Sequence, residues 1–255
     1  MKVQFLKVKI KLAKISTSAP KKLDKEKTKL KTIDLCAKIG ALQNLLYAAS
    51  KHSVLIVIQG MDASGKDGLV KRICADINPS GVRVHPFKKP TDLEMAHDFL
   101  WRVHQVVPEK GIIQIFNRSH YEDILIQRVH EWISMDVVKQ RINHINAFEQ
   151  MLTENGTTIL KFYLHISPEE QQKRLLERMN DMSKKWKYNV QDQVESKLWH
   201  SYINAYEDAI NLCNQAAAWQ VIPSDQNWYK EYLVASRIVE ELTKLKMKFP
   251  NPVIK

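Results

Sequence analysis

Val54-Leu55-Ile56-Val57-Ile58-Gln59-Gly60-Met61-Asp62-Ala63-Ser64-Gly65-Lys66-Asp67-Gly68 joins an apolar run to a glycine-bracketed loop and a helix start. The run is rich in β-branched residues and does not alternate with polar ones, the pattern of a parallel strand covered on both faces. Gly60 and Gly65 bracket four residues and Lys66 follows, which matches the phosphate loop G-x-x-x-x-G-K in all but its last letter. Backbone N–H groups of such a loop point inward and join the positive end of the helix. Gly60, Ala63, Ser64, Gly65, Lys66, Asp67 and Gly68 thereby make an anion cradle. Lys66 adds a mobile positive charge on a transferred phosphoryl group. The plain alternative is a glycine turn between any strand and helix; the order of strand, loop and helix argues against it.

Two letters depart from the usual loop. Asp67 stands where a Ser or Thr hydroxyl ordinarily holds Mg²⁺, and Asp62 puts a second carboxylate inside the loop. Carboxylates beside phosphates repel them unless a metal lies between, so the loop predicts a divalent cation, Mg²⁺ or alternatively Mn²⁺, with Asp62 as ligand.

Outward from the loop, the periodicity predicts a helix from Thr32 to Lys51, with Ile33, Ala37, Leu42, Leu45 and Leu46 on its apolar face. Another helix leaves the loop and stops at Asn78-Pro79-Ser80-Gly81. Val82–Phe87 reads as a second strand, followed by Lys88 and Lys89. Thr91 and Glu94 have capping-box spacing and open a helix expected to continue to Val107. Ile112–Phe116 is a third strand with Asn117-Arg118-Ser119-His120-Tyr121 at its end, and Thr158–Ile166 a fourth. Ser167-Pro168 starts a helix carrying Arg174 and Arg178 one turn apart. The polar stretch from about 181 to 192 suits a lid. Trp219–Ile222 is a fifth strand, and a last helix runs from Asn227 to about Lys246.

The 255 residues, 44% hydrophobic with seven glycines, suit one well-cored α/β domain and argue against disorder. No apolar run approaches a membrane span and no leader is visible. Three scattered cysteines fit a reducing compartment, so a cytoplasmic enzyme is expected. The net charge of +11 is concentrated in residues 1–31, where eleven lysines face Asp24 and Glu26 and leave +9, against +2 for the remainder. That basic arm, with a strand-like alternation from Lys7 to Leu12, is separated from a domain spanning 32–255. It reads either as a solvated tail or as a polyanion-steering segment.

Five strands alternating with helices, the phosphate loop after the first, describe an α/β P-loop kinase fold: a five-stranded parallel sheet flanked by helices, with a helical lid. Phosphoryl transfer demands positioning and charge neutralisation. Lys66 serves the transferred group, Asp62 the metal or acceptor, and Arg118 clamps a phosphate. Arg174 and Arg178 close with the lid. Each has a plainer reading: Arg118 as a sheet-end ion pair, Arg174 and Arg178 as a solvated helix face, Glu122 as a helix-start carboxylate. His97, His104 and His120 read as packed, and Trp101, Trp132, Trp199, Trp219 and Trp228 as core.

Gly60-Met61-Asp62-Ala63-Ser64-Gly65-Lys66-Asp67-Gly68, Phe116-Asn117-Arg118-Ser119-His120-Tyr121-Glu122-Asp123 and Trp186-Lys187-Tyr188 together resemble the family-2 polyphosphate kinases. Ala96-His97-Asp98-Phe99-Leu100-Trp101-Arg102 and Trp228-Tyr229 extend the resemblance. It implies transfer of a terminal phosphoryl group from inorganic polyphosphate to a nucleotide with Mg²⁺, the catalytic core matching Asp62, Lys66 and Arg118. It also implies polyphosphate contacts at Arg128, Arg178 and Lys88 or Lys89, to which helix spacing adds Arg174. Nucleotide contacts are expected at Asn117, Arg118, Tyr121 and Glu122. Asn117 departs from relatives with an acidic residue there, which leaves more of the metal binding to Asp62. Glu122 resembles the subgroup that phosphorylates both AMP and ADP. Adenine nucleotides, or guanine nucleotides, and a homo-oligomer (dimer or tetramer) are implied; nucleic acid and membrane are not. The rivals are an ATP-dependent nucleotide kinase and a non-catalytic polyanion- or RNA-binding protein.

Overall fold

The structure is a computed structural model that describes residues 9–182, 185 and 190–251. Trp186, Lys187 and Tyr188, read as lid residues, and the start of the Lys7–Leu12 alternation lie outside the described residues.

After a 3₁₀ turn, Leu12–Lys14, the chain forms α1 (Lys25–Ala49), β1 (Ser53–Gly60), α2 (Lys66–Ile73), β2 (Val82–Pro86), α3 (Asp92–Met95) and α4 (Trp101–His104). Then come β3 (Ile113–Asn117), α5 (Ile126–Val129), α6 (Met135–Glu154), β4 (Thr157–His165) and α7 (Pro168–Asn180). The chain continues through α8 (Val190–Lys197), α9 (Trp199–Leu212), β5 (Trp219–Pro223) and α10 (Asn227–Lys244).

The five strands are ordered β2-β3-β1-β4-β5, with every pair parallel. β1 is central, Val54 lying opposite Ile113 on one side and Thr158 on the other. All eight β1 residues are buried, as the unalternating apolar run requires. Val54, Ile56 and Ile58 join Leu69, Ile73, Val234 and Ile238 in one core, under α1, α2 and α10. Leu55 and Val57 join Phe116, Ile145, Phe148 and Ala209 in the other, under α6 and α9. The period-two side-chain alternation thus divides one strand between two helical layers. This is the α/β P-loop kinase architecture expected from the sequence.

Several sequence expectations are corrected. α1 begins seven residues before Thr32 because Asp24 caps it, its carboxylate accepting from the Lys27 amide at 2.9 Å. The helix therefore crosses the division placed between residues 31 and 32. Its buried face is Thr28, Thr32, Cys36, Ile39, Gln43 and Leu46, while Ile33 and Ala37 are exposed. A Cβ on Gly40 would lie 2.2 Å from the Asp76 carbonyl, so close packing sets that face more than hydropathy does. The helix opened by Thr91 has its capping box but stops at Met95. The Asp98 carboxylate takes the Leu100 amide at 2.9 Å and restarts the chain as α4.

Lys9 to Leu12 form no strand; the arm instead docks through polar contacts. Ile10 N donates to Asn211 Oδ1 (2.8 Å), Leu12 N to Glu207 Oε1 (2.8 Å), and Thr17 Oγ1 to Asp225 Oδ2 (2.6 Å). No described helix is long and apolar enough to cross a membrane.

Candidate active site

The C-terminal ends of β1, β2 and β3 meet where the strand order reverses about β1, the place at which open parallel sheets bind ligands. A cavity of about 760 Å³ opens there. Among its lining residues are Asp62, Ala63, Gly65, Lys66, Asp67, Gly68, Lys88, Asn117, Arg118, Arg174 and Arg178. The loop can run this close to β4 because Gly60 has no side chain: a Cβ there would lie 2.9 Å from the Leu164 carbonyl.

At the mouth, the Arg118 guanidinium donates to Asp62 through Nη2 and to Glu122 through Nη1, the latter at 3.4 Å. Arg118 has φ 63°, a left-handed conformation uncommon outside glycine, stabilised by its amide donating to the Ile58 carbonyl at 3.0 Å. The backbone is thus bent to bring this guanidinium over the loop. Burial acts to raise the Asp62 pKa, but Arg118 and Lys66 together outweigh it and hold the carboxyl below its ordinary range. Glu122, Asp62 and the bond to Asp62 outweigh burial and keep Arg118 firmly protonated.

Lys66 is almost wholly buried, its ammonium folded back to donate to the Gly60 and Met61 carbonyls at 2.8 and 3.1 Å. Burial first, and Arg118 second, push its pKa down to about 8. Asn117 Nδ2 donates to Asp67 Oδ1 at 2.9 Å, so the amide in place of an acidic residue ties the end of β3 to the start of α2.

Arg174 reaches the site but faces the back of the loop. It donates to Glu170 Oε1 (2.8 Å) and to the carbonyls of Ala63 (3.0 Å), Ser224 (2.9 Å) and Asp225 (2.7 Å), using four of the five N–H groups a guanidinium has. Arg178, one turn on, donates to Asp192 Oδ2 of α8 at 3.0 Å, which places the start of α8 at the cavity wall.

Several expected residues stand elsewhere. Tyr121 is corrected from a nucleotide contact to a core residue. It has no exposed surface, its hydroxyl donates to Glu149 Oε1 at 2.7 Å, and Lys161 donates to it at 2.9 Å. Arg128 pairs with Asp208 of α9 at 2.8 Å and is not part of the cavity wall; nor is Lys89, whereas Lys88 is. Glu122 reaches the centre only through Arg118. Trp132, expected in the core, is 65% exposed and stacked on His130.

The structure adds Lys230, Gln171 and Asn227, which were not singled out from the sequence. Lys230 and Gln171 are buried behind the loop and donate to its carbonyls. Their signal was phase: 230, 234, 238 and 242 step by four along the buried stripe of α10, and 171 and 175 along that of α7. A polar residue in phase with a buried stripe needs a polar partner.

The oxygen donors at the mouth, Asp62, Asp67 and Asn117, are those a hard divalent cation prefers. No group of three or more His, Cys, Asp or Glu fit to hold a metal occurs among the described residues.

The family model described as polyphosphate kinase 2 matches residues 22–250. An AMP/ADP-polyphosphate phosphotransferase of Meiothermus ruber is 50% identical over 216 residues, covering 84% of this chain and 81% of the relative. An ADP-polyphosphate phosphotransferase of Rhodopseudomonas palustris is 39% identical over 227 residues, covering 84% and 78%. The crystal structure of polyphosphate kinase 2 from Arthrobacter aurescens superposes with a TM-score of 0.93 at 36% identity, over 96% of this chain and 89% of that one.

Proposed function

The chain belongs to the polyphosphate kinase 2 family, and from that membership we infer that it carries the terminal phosphoryl group of inorganic polyphosphate to AMP and to ADP. The observation that carries the reading is the convergence of Asp62, Lys66 and Arg118 around one phosphate loop at the switch point of the sheet.

In the proposed reaction a terminal phosphate oxygen of the nucleotide attacks the end phosphorus of polyphosphate. A new P–O bond forms, and the bridging P–O bond breaks with its electron pair passing to a polyphosphate one unit shorter. A phosphate oxygen is already anionic near neutral pH, so no general base is needed, and rate comes from alignment and charge stabilisation. Lys66 leaves the Gly60 and Met61 carbonyls for the transferred group, and Arg118 exchanges part of its bond to Asp62 for phosphate oxygen. Lys88 and Arg178 extend the positive wall along the donor. Asp62, with Asp67 and Asn117 beside it, would hold Mg²⁺, or Mn²⁺ in its place, which would neutralise donor charge that the two carboxylates otherwise repel.

The 50% identity to a relative named an AMP/ADP-polyphosphate phosphotransferase supports use of both AMP and ADP as acceptors. A cytoplasmic homo-oligomer that binds neither nucleic acid nor membrane completes the reading. Guanine nucleotides remain a second acceptor class to assay.

The test is purified protein with AMP or ADP, polyphosphate or ATP as donor, with and without Mg²⁺, followed by nucleotide chromatography. Conversion from polyphosphate that stops when the metal is chelated is the expected result. Conversion of AMP by ATP but not by polyphosphate would overturn it.

A further inference from the structure

Six consecutive carbonyls of the loop, Gly60 to Gly65, each accept from a side-chain nitrogen. Lys66 takes the first two, Gln171 Nε2 takes Asp62 at 3.1 Å, and Arg174 takes Ala63. Lys230 Nζ takes Ser64 at 3.2 Å and Gly65 at 3.1 Å. A trans peptide unit carries its C=O and the following N–H on opposite sides, and no cis bond occurs among the described residues. Holding the carbonyls of Ser64 and Gly65 toward Lys230 therefore sets the amides of Gly65 and Lys66 the other way, on the side where a phosphate binds.

Lys230 is also unusual in its charge. It is 1% exposed and its third contact is the neutral Asn227 Oδ1 at 2.8 Å. Its neighbour Glu231 is committed to Arg72 at 3.3 Å, and among the described residues Lys230 makes no ion pair. A buried cation without a counter-ion is costly. The loop that its hydrogens hold has the cavity on its far side, lined by Gly65 and Lys66.

Resting on the reading that this loop holds the phosphoryl donor, we propose that Lys230 is a positioning residue for the transfer. It orients the Gly65 and Lys66 amides toward the donor phosphates and supplies, from behind the loop, a charge whose counter-ion is the substrate. Gly65 fits this arrangement, because a Cβ there would lie 2.3 Å from Lys230 Nζ.

The experiment compares the full chain with its Lys230→Met and Lys230→Gln variants in steady-state transfer from polyphosphate to AMP and to ADP, alongside thermal unfolding. Met removes all three donors; Gln keeps an amide and serves if Met fails to fold. The parent must first transfer from polyphosphate; if it does not, the functional reading fails whatever Lys230 does. With an active parent, Lys230→Met is expected to lower kcat/KM for polyphosphate by about ten- to a hundredfold, with Lys230→Gln between it and the parent. KM for the nucleotide should stay within about twofold. Parent-like kcat/KM in the variants would overturn the proposal, as would a loss shared equally by both substrates and proportional to a fall in Tm, the mark of a merely structural lysine.

Discussion

Arg118 and Asp62 show how single residues set the chemistry. Each carries a charge the other stabilises, so the proposed phosphate clamp and the proposed cation ligand hold one another in place. Asp62→Asn keeps the shape but removes the anion. Transfer should fall by roughly a hundredfold or more, as when one preorganised charge is lost from a site, while nucleotide KM changes far less; a kcat near the parent's would remove Asp62 from the machinery. Lys66 sets the pH dependence. Its pKa is lowered to about 8 by burial and Arg118, against which Asp62, Glu122 and Asp67 act. The protonated form is the one that meets phosphate, so its contribution to kcat/KM is present below about pH 8 and lost as pH rises through it. Lys230, lowered to about 7 by burial, Arg174 and Lys66 against Glu231, adds an earlier loss of the same sign. Bound polyphosphate favours the charged forms, so the limb in kcat should lie at higher pH than that in kcat/KM. A kcat/KM flat from pH 7 to about 10 would contradict both assignments.

Among the elements, α7 and α8 meet at the cavity wall through Arg178 and Asp192. A carboxylate on that guanidinium competes with phosphate. Asp192→Asn should lower the KM for polyphosphate by about two- to fivefold, the scale of a partly exposed ion pair. A rise in that KM would place Asp192 on the binding side instead. Strands and helices differed in legibility. β1, β3 and β4 could be read because burial on both faces writes a continuous apolar run, and the phosphate loop because glycine and lysine spacing has a mechanism. α1 hid its start: Lys25, Lys27, Lys29 and Lys31 look like a solvated arm, and its buried face uses Thr28, Thr32 and Gln43. Among the site residues, Asp62, Lys66 and Arg118 could be read from local motifs. For Lys230 the phase of α10 gives burial but not its place at the site, since its partners Ser64 and Gly65 are more than 160 residues away in sequence.

At the scale of the whole molecule, the two cores are unlike. The layer beneath α6 and α9 contains a buried ion pair, Lys161 with Glu149, both without exposed surface, to which the Tyr121 hydroxyl and the Cys213 carbonyl are bonded. Removing one partner strands the other charge: Lys161→Met should cost about 3–5 kcal/mol of unfolding free energy, read by denaturant titration, whereas loss below 1 kcal/mol would mean the pair is not buried as described. This network anchors the turn after Arg118 and is why Tyr121, adjacent to the site in sequence, is remote from it in chemistry. The docked arm acts similarly at the other edge, since Thr17 and Ser18 hold Asp225, whose carbonyl holds Arg174.

The stretch from Val54 to Gly68 determined by itself the strand and the cradle, because each follows from local spacing and backbone chemistry; with the motifs at 116–123 and 186–188 it pointed to the family. Only the tertiary structure decided which charges face the substrate and which stand behind the loop. Arg174 and Arg178 are four residues apart on α7; one is bound to loop carbonyls and the other turned to the lid. That division depends on what α10 and the β5–α10 turn bring up from the far end of the chain, and no local pattern encodes it.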